Sequence, residues 1–447
     1  MHVAKNEIEV RHQLLEHLSE ARARTDELFG IVRPDSLYER PIPERHRIIF
    51  YLGHLEAFDW NLLRERVLGL TAFHPDFDRL FAFGIDPVNG ALPSDQAADW
   101  PSVADARHYV KRIRESIDAG LAALRPADWD SNPVGADFSA TTLLNVAIEH
   151  RLMHGETLAY MLHQLPLQQK IERQRKPELT VPPVAPRMIE ISAGRATLGL
   201  SRSEKNSFGW DNEYEAHTVD VPAFAIDKYK VTNGQYLDFI AAGGYENAAD
   251  WTEEDWNWRT TQSIRYPVFW RQIGERWLYR TMFDEIPLPL DWPVYVSQAE
   301  ANAYARWAGK SLPTEAQWHR AAYGTRNGTE RPYPWGVAAP SSIMGNFDFH
   351  SWDPAPAGAF PGGESAFGVS DLLGNGWEWT ASRFEPFPGF RQFSFYPGYS
   401  ADFFDGKHYV MKGASARTAA CMLRRSFRNW FQPHYQYVYA GFRCVSN

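Results

Sequence analysis

Cysteine is nearly absent from this 447-residue chain, which contains only Cys421 and Cys444. Two thiols cannot staple a disulfide scaffold, and no Cys-x-x-Cys pair occurs. Reduced thiols in a cytoplasm are therefore expected. No run of 18 apolar residues exists, so no membrane span is expected. The first residues, MHVAKNEIEVRHQLLEHL, are charged from the outset and lack the apolar stretch of a signal peptide. A basic block or Lys/Arg stripe is also missing. The formal charge is -9, from 46 basic and 55 acidic residues. Nucleic acid is thus excluded as an expected partner, and a small-molecule substrate fits better. There is no internal repeat and no low-complexity tract.

What is present is ordinary in polarity but rich in rings. Hydrophobic residues make up 44% and charged residues 23%, which suits folded cores. The length favours two or three domains. Seventeen Trp and thirty Pro point to much irregular backbone held by ring packing. Apolar positions at helical spacing predict a first helix from about Ile8 to Gly30. A second opens at Pro41-Ile42-Pro43 and runs to about Leu68, Pro being tolerated at a helix start. A long loop containing Phe83-Gly84-Ile85-Asp86-Pro87 follows. A third helix spans about Ser102 to Leu124. A fourth starts at Ser139 or Thr141, both good N-caps, and ends near Gln164. Four such helices predict a bundle over residues 1–165. The polar and then Pro-rich run from Gln168 to Pro186 reads as a linker, taken as 166–187. From 188 to 447, short apolar runs, Gly, Pro and Trp dominate. Helices are expected there from Ser297 to Gly309 and from Thr314 to Tyr323. The fold class is therefore α+β and multidomain.

The chemistry gathers around histidine. His150 and His154 lie about 40° and roughly 6 Å apart on the fourth helix, so two imidazoles can reach one ion. Val146, Met153, Thr157 and Met161 share that face, which is taken as the inward one. Such pairs also arise by chance. The third candidate, His54, sits on the second helix among Phe50, Tyr51 and Phe58. Three histidines on facing sides of two bundle helices favour a metal over three core side chains. Imidazole suits Fe, Zn, Cu or Ni, so spacing does not name the ion. Glu156 lies about 160° from His154 and reads as a helix-packing or supporting residue.

These residues carry a family resemblance. His54 with His150-x3-His154-x-Glu156 resembles a DinB-like bundle. Residues 188–447 resemble the formylglycine-generating enzyme (sulfatase-modifying factor) domain, a C-type-lectin-like α+β fold rich in loops. The matching stretches are Tyr229-Lys230-Val231-Thr232-Asn233 with Gln235-Tyr236, Leu312-Pro313-Thr314-Glu315-Ala316-Gln317-Trp318 and Tyr333-Pro334-Trp335-Gly336. Asp371-Leu372-Leu373-Gly374-Asn375-Gly376-Trp377-Glu378-Trp379 and Gly441-Phe442-Arg443 complete the set. The fusion is similar to the EgtB/OvoA sulfoxide synthases, non-heme iron oxidoreductases that use O2. The resemblance implies Fe(II) on His54, His150 and His154, leaving positions for a chalcogenolate, an imidazole and O2. It also implies hercynine as substrate, bound near the domain junction by Asn429 and Trp430. A Trp face attracts a quaternary ammonium by roughly 0.5–2 kcal/mol, and an Asn amide can donate to a carboxylate. Without the resemblance, Trp430 would read as a core ring of a Trp-rich domain.

The departures from the family are specific. Members that use γ-glutamylcysteine carry an acidic residue after the Asn-Trp pair and an Arg four residues later. Phe431 and Tyr435 stand there instead, which suits a neutral, ring-shaped partner. Phe384 and Phe387 occupy the positions expected for the family's catalytic tyrosine, so the catalytic proton donor is unassigned. Tyr396, Tyr399, Tyr435, Tyr437 and Tyr439 are all candidates. Where many members have Gln before the second helix histidine, this chain has Met153, which is counted as substrate-binding. The stretches Arg45 to His54 and Phe83 to Pro87 look like the selenoneine synthase (SenA) branch, which joins hercynine to a selenosugar. The expected reaction is C–Se bond formation in a cytoplasmic enzyme. The alternative is C–S bond formation with cysteine, γ-glutamylcysteine or another thiol. Other readings are a zinc hydrolase, a formylglycine-generating enzyme, for which Cys421 and Cys444 are too far apart, and a non-catalytic binding module.

Overall fold

A computed structural model describes residues 2–82, 92–130, 138–173, 179–204 and 207–446. The chain divides into two compact units, Met1–Gln174 and Arg175–Asn447. The Phe83 to Pro87 stretch lies outside the described residues.

The first unit contains α1 (His2–Phe29), α2 (Ile48–Leu63), the short α3 (Pro75–Leu80), α4 (Val103–Ala123) and α5 (Ala140–Gln164). Helix α4 starts where Ser102 Oγ accepts the Asp105 N–H at 3.1 Å. It buries Ala106, Tyr109, Ile113, Ile117 and Leu121, a stripe at helical spacing. Helix α5 starts where Ser139 Oγ accepts the Thr142 N–H at 3.2 Å. Helices α2 and α5 are buried on nearly every side, so they form the centre of the unit. The second helix does not open at Pro41-Ile42-Pro43 as expected. Arg47 is extended there, its Nε 3.1 Å from Asp95 Oδ2 and its Nη1 2.7 Å from the Tyr38 carbonyl. That side chain holds residues 41–47 in turns, and the helix begins only at Ile48. It also ends at Leu63, beyond which the Leu68 N–H reaches back five residues to the Leu63 carbonyl and breaks the α-helical pattern. Helix α3 falls in a stretch expected to be loop. His74 Nδ1 caps it by accepting the Phe77 N–H, and Pro75 takes the first turn.

A line of ion pairs, exposed at Asp26 and fully buried at Glu56, Asp59 and Arg151, crosses all four long helices. Asp26 of α1 meets Arg114 of α4 at 2.7 Å, and Arg114 meets Glu56 of α2 at 2.7 Å. Glu56 in turn meets Arg151 of α5 at 2.8 Å, and Arg151 also holds Asp59 at 2.5 Å. Beyond α5, the Val32–Lys170 bridge fastens the start of the polar run onto this unit, and Lys170 Nζ donates to the Leu162 carbonyl.

The second unit begins with β1 (Met188–Ile191), β2 (Gly194–Leu198), β3 (His217–Val221) and β4 (Phe224–Asp227). It continues through α6 (Asn233–Ala241), α7 (Glu253–Thr261), β5 (Trp270–Ile273), β6 (Arg276–Arg280), β7 (Glu285–Pro287), α8 (Gln298–Trp307) and α9 (Glu315–Tyr323). It closes with β8 (Gly376–Arg383), β9 (Tyr409–Ala414), β10 (Asn429–Phe431), β11 (Ala440–Gly441) and β12 (Val445–Ser446). The strands form small sheets ordered β1-β4-β12, β2-β3, β5-β6-β7 and β10-β9-β8-β11. Helices α8 and α9 match the two expected from sequence. Each starts in a reciprocal capping box, Ser297 with Glu300 and Thr314 with Gln317.

The sequence motifs of this unit converge on one buried carboxylate. Glu378 accepts from Trp318 Nε1 at 2.9 Å and from Arg443 Nε at 2.6 Å, and Lys230 Nζ lies 3.2 Å away. Four separate motifs thus meet at a fully buried charge whose partners come from α9, the C-terminal segment and the loop before α6. Gly374, Asn375 and Gly376 all take positive φ before β8, which explains the Gly-Asn-Gly run. The Asn375 amide bridges the Ala355 N–H at 2.7 Å and carbonyl at 2.9 Å. Neither cysteine is in a disulfide, with Cys444 buried and Cys421 exposed.

Removing one partner of a buried ion pair leaves the other charge uncompensated, at about 3–5 kcal/mol. Arg443→Met is therefore expected to destabilise the second unit by that amount in urea titrations followed by tryptophan fluorescence. A loss below 1 kcal/mol, about the size of an exposed pair, would contradict the convergence on Glu378.

Candidate metal centre

His54 projects from the middle of α2, and His150 and His154 project from α5. Among the described residues, these three form the one His/Cys/Asp/Glu group able to hold a metal ion, with candidate ligand atoms all within 4.8 Å. His154 Nε2 lies 3.3 Å from His54 Nε2 and 3.0 Å from His150 Nε2. Metal–nitrogen bonds of about 2.1 Å put donors about 3.0 Å apart at right angles and about 3.4 Å apart at tetrahedral angles. The observed spacings fall in that range. A single N–H on His154 can serve only one of its two neighbours. Three convergent imidazole nitrogens are therefore better satisfied by a cation than by one another.

The surroundings prepare the rings for this. His54 Nδ1 lies 2.7 Å from the Phe81 carbonyl, which fixes the Nδ1–H tautomer and turns the Nε2 lone pair inward. Gly53 permits that contact, since a Cβ there would run into the Phe81 ring. Phe58 stacks on His150 at 3.4 Å and 11°, and Phe50 stacks on His54 at 4.7 Å and 23°. Burial pushes the His54 pKa down to about 4, despite the Phe81 bond, and holds His150 and His154 well below the usual range. All three are neutral at pH 7, the form a metal needs, so no proton has to be displaced. A soft-to-borderline divalent ion fits this all-nitrogen set.

Glu156 is buried but lies outside the cluster. Met153 is half-buried, between His150 and His154 in sequence. Sequence reasoning passed over Phe58 as a stacking partner, the Phe81 carbonyl, and Arg151 with Glu56 and Asp59. Charged residues inside the otherwise apolar run of α2 were the signal for the last group.

Asn429, Trp430 and Phe431 form β10, the edge strand antiparallel to β9. Strand alternation puts Asn429 and Phe431 on one face and Trp430 on the other. The Asn429 side-chain Oδ1 accepts the Trp430 backbone N–H at 2.9 Å, so its NH2 end is the one that can meet an incoming acceptor. Trp430 is half-buried. Phe384 stacks on it at 4.1 Å and 7°, while Tyr399 meets it edge-on at 5.5 Å. One indole face is thus covered by Phe384, the residue at an expected tyrosine position. Phe431 and Tyr435 stack on each other at 5.2 Å and 13°, and Tyr437 meets Tyr435 edge-on. Phe387 packs under the Arg428 guanidinium. Of the tyrosines considered as proton donors, Tyr439 is a core ring against Phe269 and Tyr295. Tyr396 packs on Tyr399.

Comparison with known proteins adds the relationship. Residues 17–158 match the DinB superfamily, and residues 175–447 match the sulfatase-modifying factor enzyme 1-like domain. The chain is 34% identical to the hercynine oxygenase of Mycobacterium tuberculosis, over 97% of this chain and 98% of that protein. It is 29% identical to ergothioneine biosynthesis protein 1 of Neurospora crassa, over 92% of this chain and 55% of that protein. Among solved structures, PvdO from Pseudomonas aeruginosa aligns with a TM-score of 0.37 at 21% identity, over 58% of this chain and 93% of that one. A helical DinB unit bearing a three-histidine cluster, joined to a sulfatase-modifying-factor unit, defines a two-part enzyme. The chain belongs to the hercynine oxygenase family, the EgtB-type sulfoxide synthases. Among the described residues, no helix is long and apolar enough to cross a membrane.

His54→Ala is expected to abolish one-to-one uptake of divalent metal, measured by elemental analysis after dialysis. Phe384→Tyr, in the other unit, is expected to leave it unchanged. Parent-level metal in the His54 variant would remove His54 from the ligand set.

Proposed function

We propose that the chain is an iron(II)- and O2-dependent enzyme that joins the imidazole carbon of hercynine to the selenium of a selenosugar. The observation that carries the metal half of this reading is the convergence of three neutral imidazole nitrogens, 3.0 and 3.3 Å apart. His54, His150 and His154 would hold the ion. Bound iron(II) would supply O2 activation and a Lewis-acid seat for the chalcogen. The chain's own residues do the rest by positioning. The Phe81 carbonyl holds His54, and Phe58 keeps the His150 ring in plane. The Asn429 NH2 would donate to the betaine carboxylate. The half-buried indole of Trp430 would receive the trimethylammonium, worth roughly 0.5–2 kcal/mol. Strand β10 is a sheet edge, so a ligand along it can reach side chains of both faces. Met153, beside two of the histidines in sequence, would offer only a soft thioether to the substrate imidazole.

The acceptor half rests on Phe431 and Tyr435. A zwitterionic amino-acid thiol needs charged anchors, and this stacked aromatic pair provides none. A sugar is uncharged and packs its C–H face on a ring, which is what the pair presents. Sulfur chemistry is the second reading, favoured by the names of the relatives, hercynine oxygenase and ergothioneine biosynthesis protein 1. It would form a C–S bond with cysteine, γ-glutamylcysteine or another thiol. Phe384 and Phe387 cannot donate a proton. Tyr399, edge-on to Trp430, is the candidate donor proposed here.

The test is a competition read by mass spectrometry. Iron-loaded protein receives hercynine, O2, cysteine, γ-glutamylcysteine, a thiosugar and a selenosugar together. The selenosugar adduct is expected to dominate. In the double variant Phe431→Asp, Tyr435→Arg, preference should move at least tenfold toward γ-glutamylcysteine. A dominant cysteine or γ-glutamylcysteine adduct with the parent protein would replace the selenium reading with the sulfur one.

A further inference from the structure

We infer that Arg151 is a positioning residue for the metal centre, setting the register between the two helices that carry the histidines. It immediately follows His150 on α5. Its partners, Leu55, Glu56 and Asp59, follow His54 on α2. Arg151 Nη1 donates to Glu56 Oε1 at 2.9 Å, and Nη2 donates to Asp59 Oδ2 at 2.5 Å and to the Leu55 carbonyl at 3.2 Å. Arg151, Glu56 and Asp59 are each at most 1% exposed. One planar fork therefore ties the residue beside one ligand to the residues beside another.

Magnitudes favour positioning over bulk stability. A buried ion pair is weak support for stability, since well-packed apolar side chains often do as well or better. Geometry is the scarcer quantity. Sliding α2 along α5 by one residue moves His54 by about 1.5 Å, whereas metal–ligand bonds tolerate about 0.2 Å. Apolar packing between two helices does not set register that finely. A guanidinium with three fixed acceptors on α2 does, and Lys, a point charge on a flexible stem, cannot reproduce the fork. The charge line extends the constraint, because Arg114 holds Glu56 from α4 and Asp26 from α1.

The inference rests on His54, His150 and His154 being the ligands, and the experiment separates the two. Full-length protein is titrated with Co(II) and followed by visible absorption and equilibrium dialysis. Arg151→Gln should weaken Co(II) binding at least tenfold and shift the ligand-field bands, the range seen for supporting residues of metal ligands. Arg151→Lys should be intermediate. Ile117→Ala, a core truncation on α4, should lower thermal stability while keeping the parent affinity and spectrum. If Arg151→Gln does not fold, Arg151→Lys decides. Parent affinity and bands in folded Arg151→Lys and Arg151→Gln would overturn the inference, as would an equal loss of affinity in Ile117→Ala. A parent protein that takes up no Co(II) would overturn the three-histidine reading and this inference with it.

Discussion

The bundle is organised around the pairing of α2 with α5, and the line from Asp26 through Arg114 and Glu56 to Arg151 is what makes that pairing specific. Both helices are buried almost all round, and most of what they bury is apolar. Such helices gain from burial in any register, so hydrophobicity drives their association without fixing it. The buried charges exact a desolvation cost unless they meet in one arrangement. That arrangement is the one that brings three imidazoles to a common point. Burial then keeps those imidazoles neutral, and the Phe81 carbonyl and the rings of Phe50 and Phe58 orient them. Stability, ligand protonation and ligand direction follow from the same close packing.

The second unit uses the same device for a different end. Glu378 gathers Trp318, Lys230 and Arg443 from distant stretches of sequence and fixes β8 within an otherwise loop-rich fold. Strand β9 pairs with β8, and β10 with β9, so Asn429, Trp430 and Phe431 inherit their placement from that buried carboxylate. A residue deep in the core thus sets the geometry of an edge strand that carries the proposed substrate contacts.

Much of this was legible in the sequence because it depends on local signals. The caps Ser102, Ser139, Ser297 and Thr314 mark their helices correctly, each by a side-chain oxygen accepting a nearby N–H. The histidine spacing was legible because helical periodicity is a local rule. The start of α2 was not. Pro41 and Pro43 are compatible with a helix start, but the Arg47–Asp95 pair, 48 residues apart in sequence, holds that segment in turns. Helix α3 is too short to leave a periodic pattern. The stacking of Phe384 on Trp430 and of Phe431 on Tyr435 depends on tertiary approach, and the residue types alone indicated only that rings replace a hydroxyl and two charges.

The central claim is that His54, His150 and His154 bind one iron together. X-ray absorption spectroscopy of the Fe(II)-loaded full chain tests it most directly. The account predicts multiple-scattering features of three imidazoles, with nitrogens at about 2.0–2.2 Å. A fit requiring fewer than three imidazoles, or a sulfur ligand from Cys421 or Cys444 in the absence of added thiol, would contradict it.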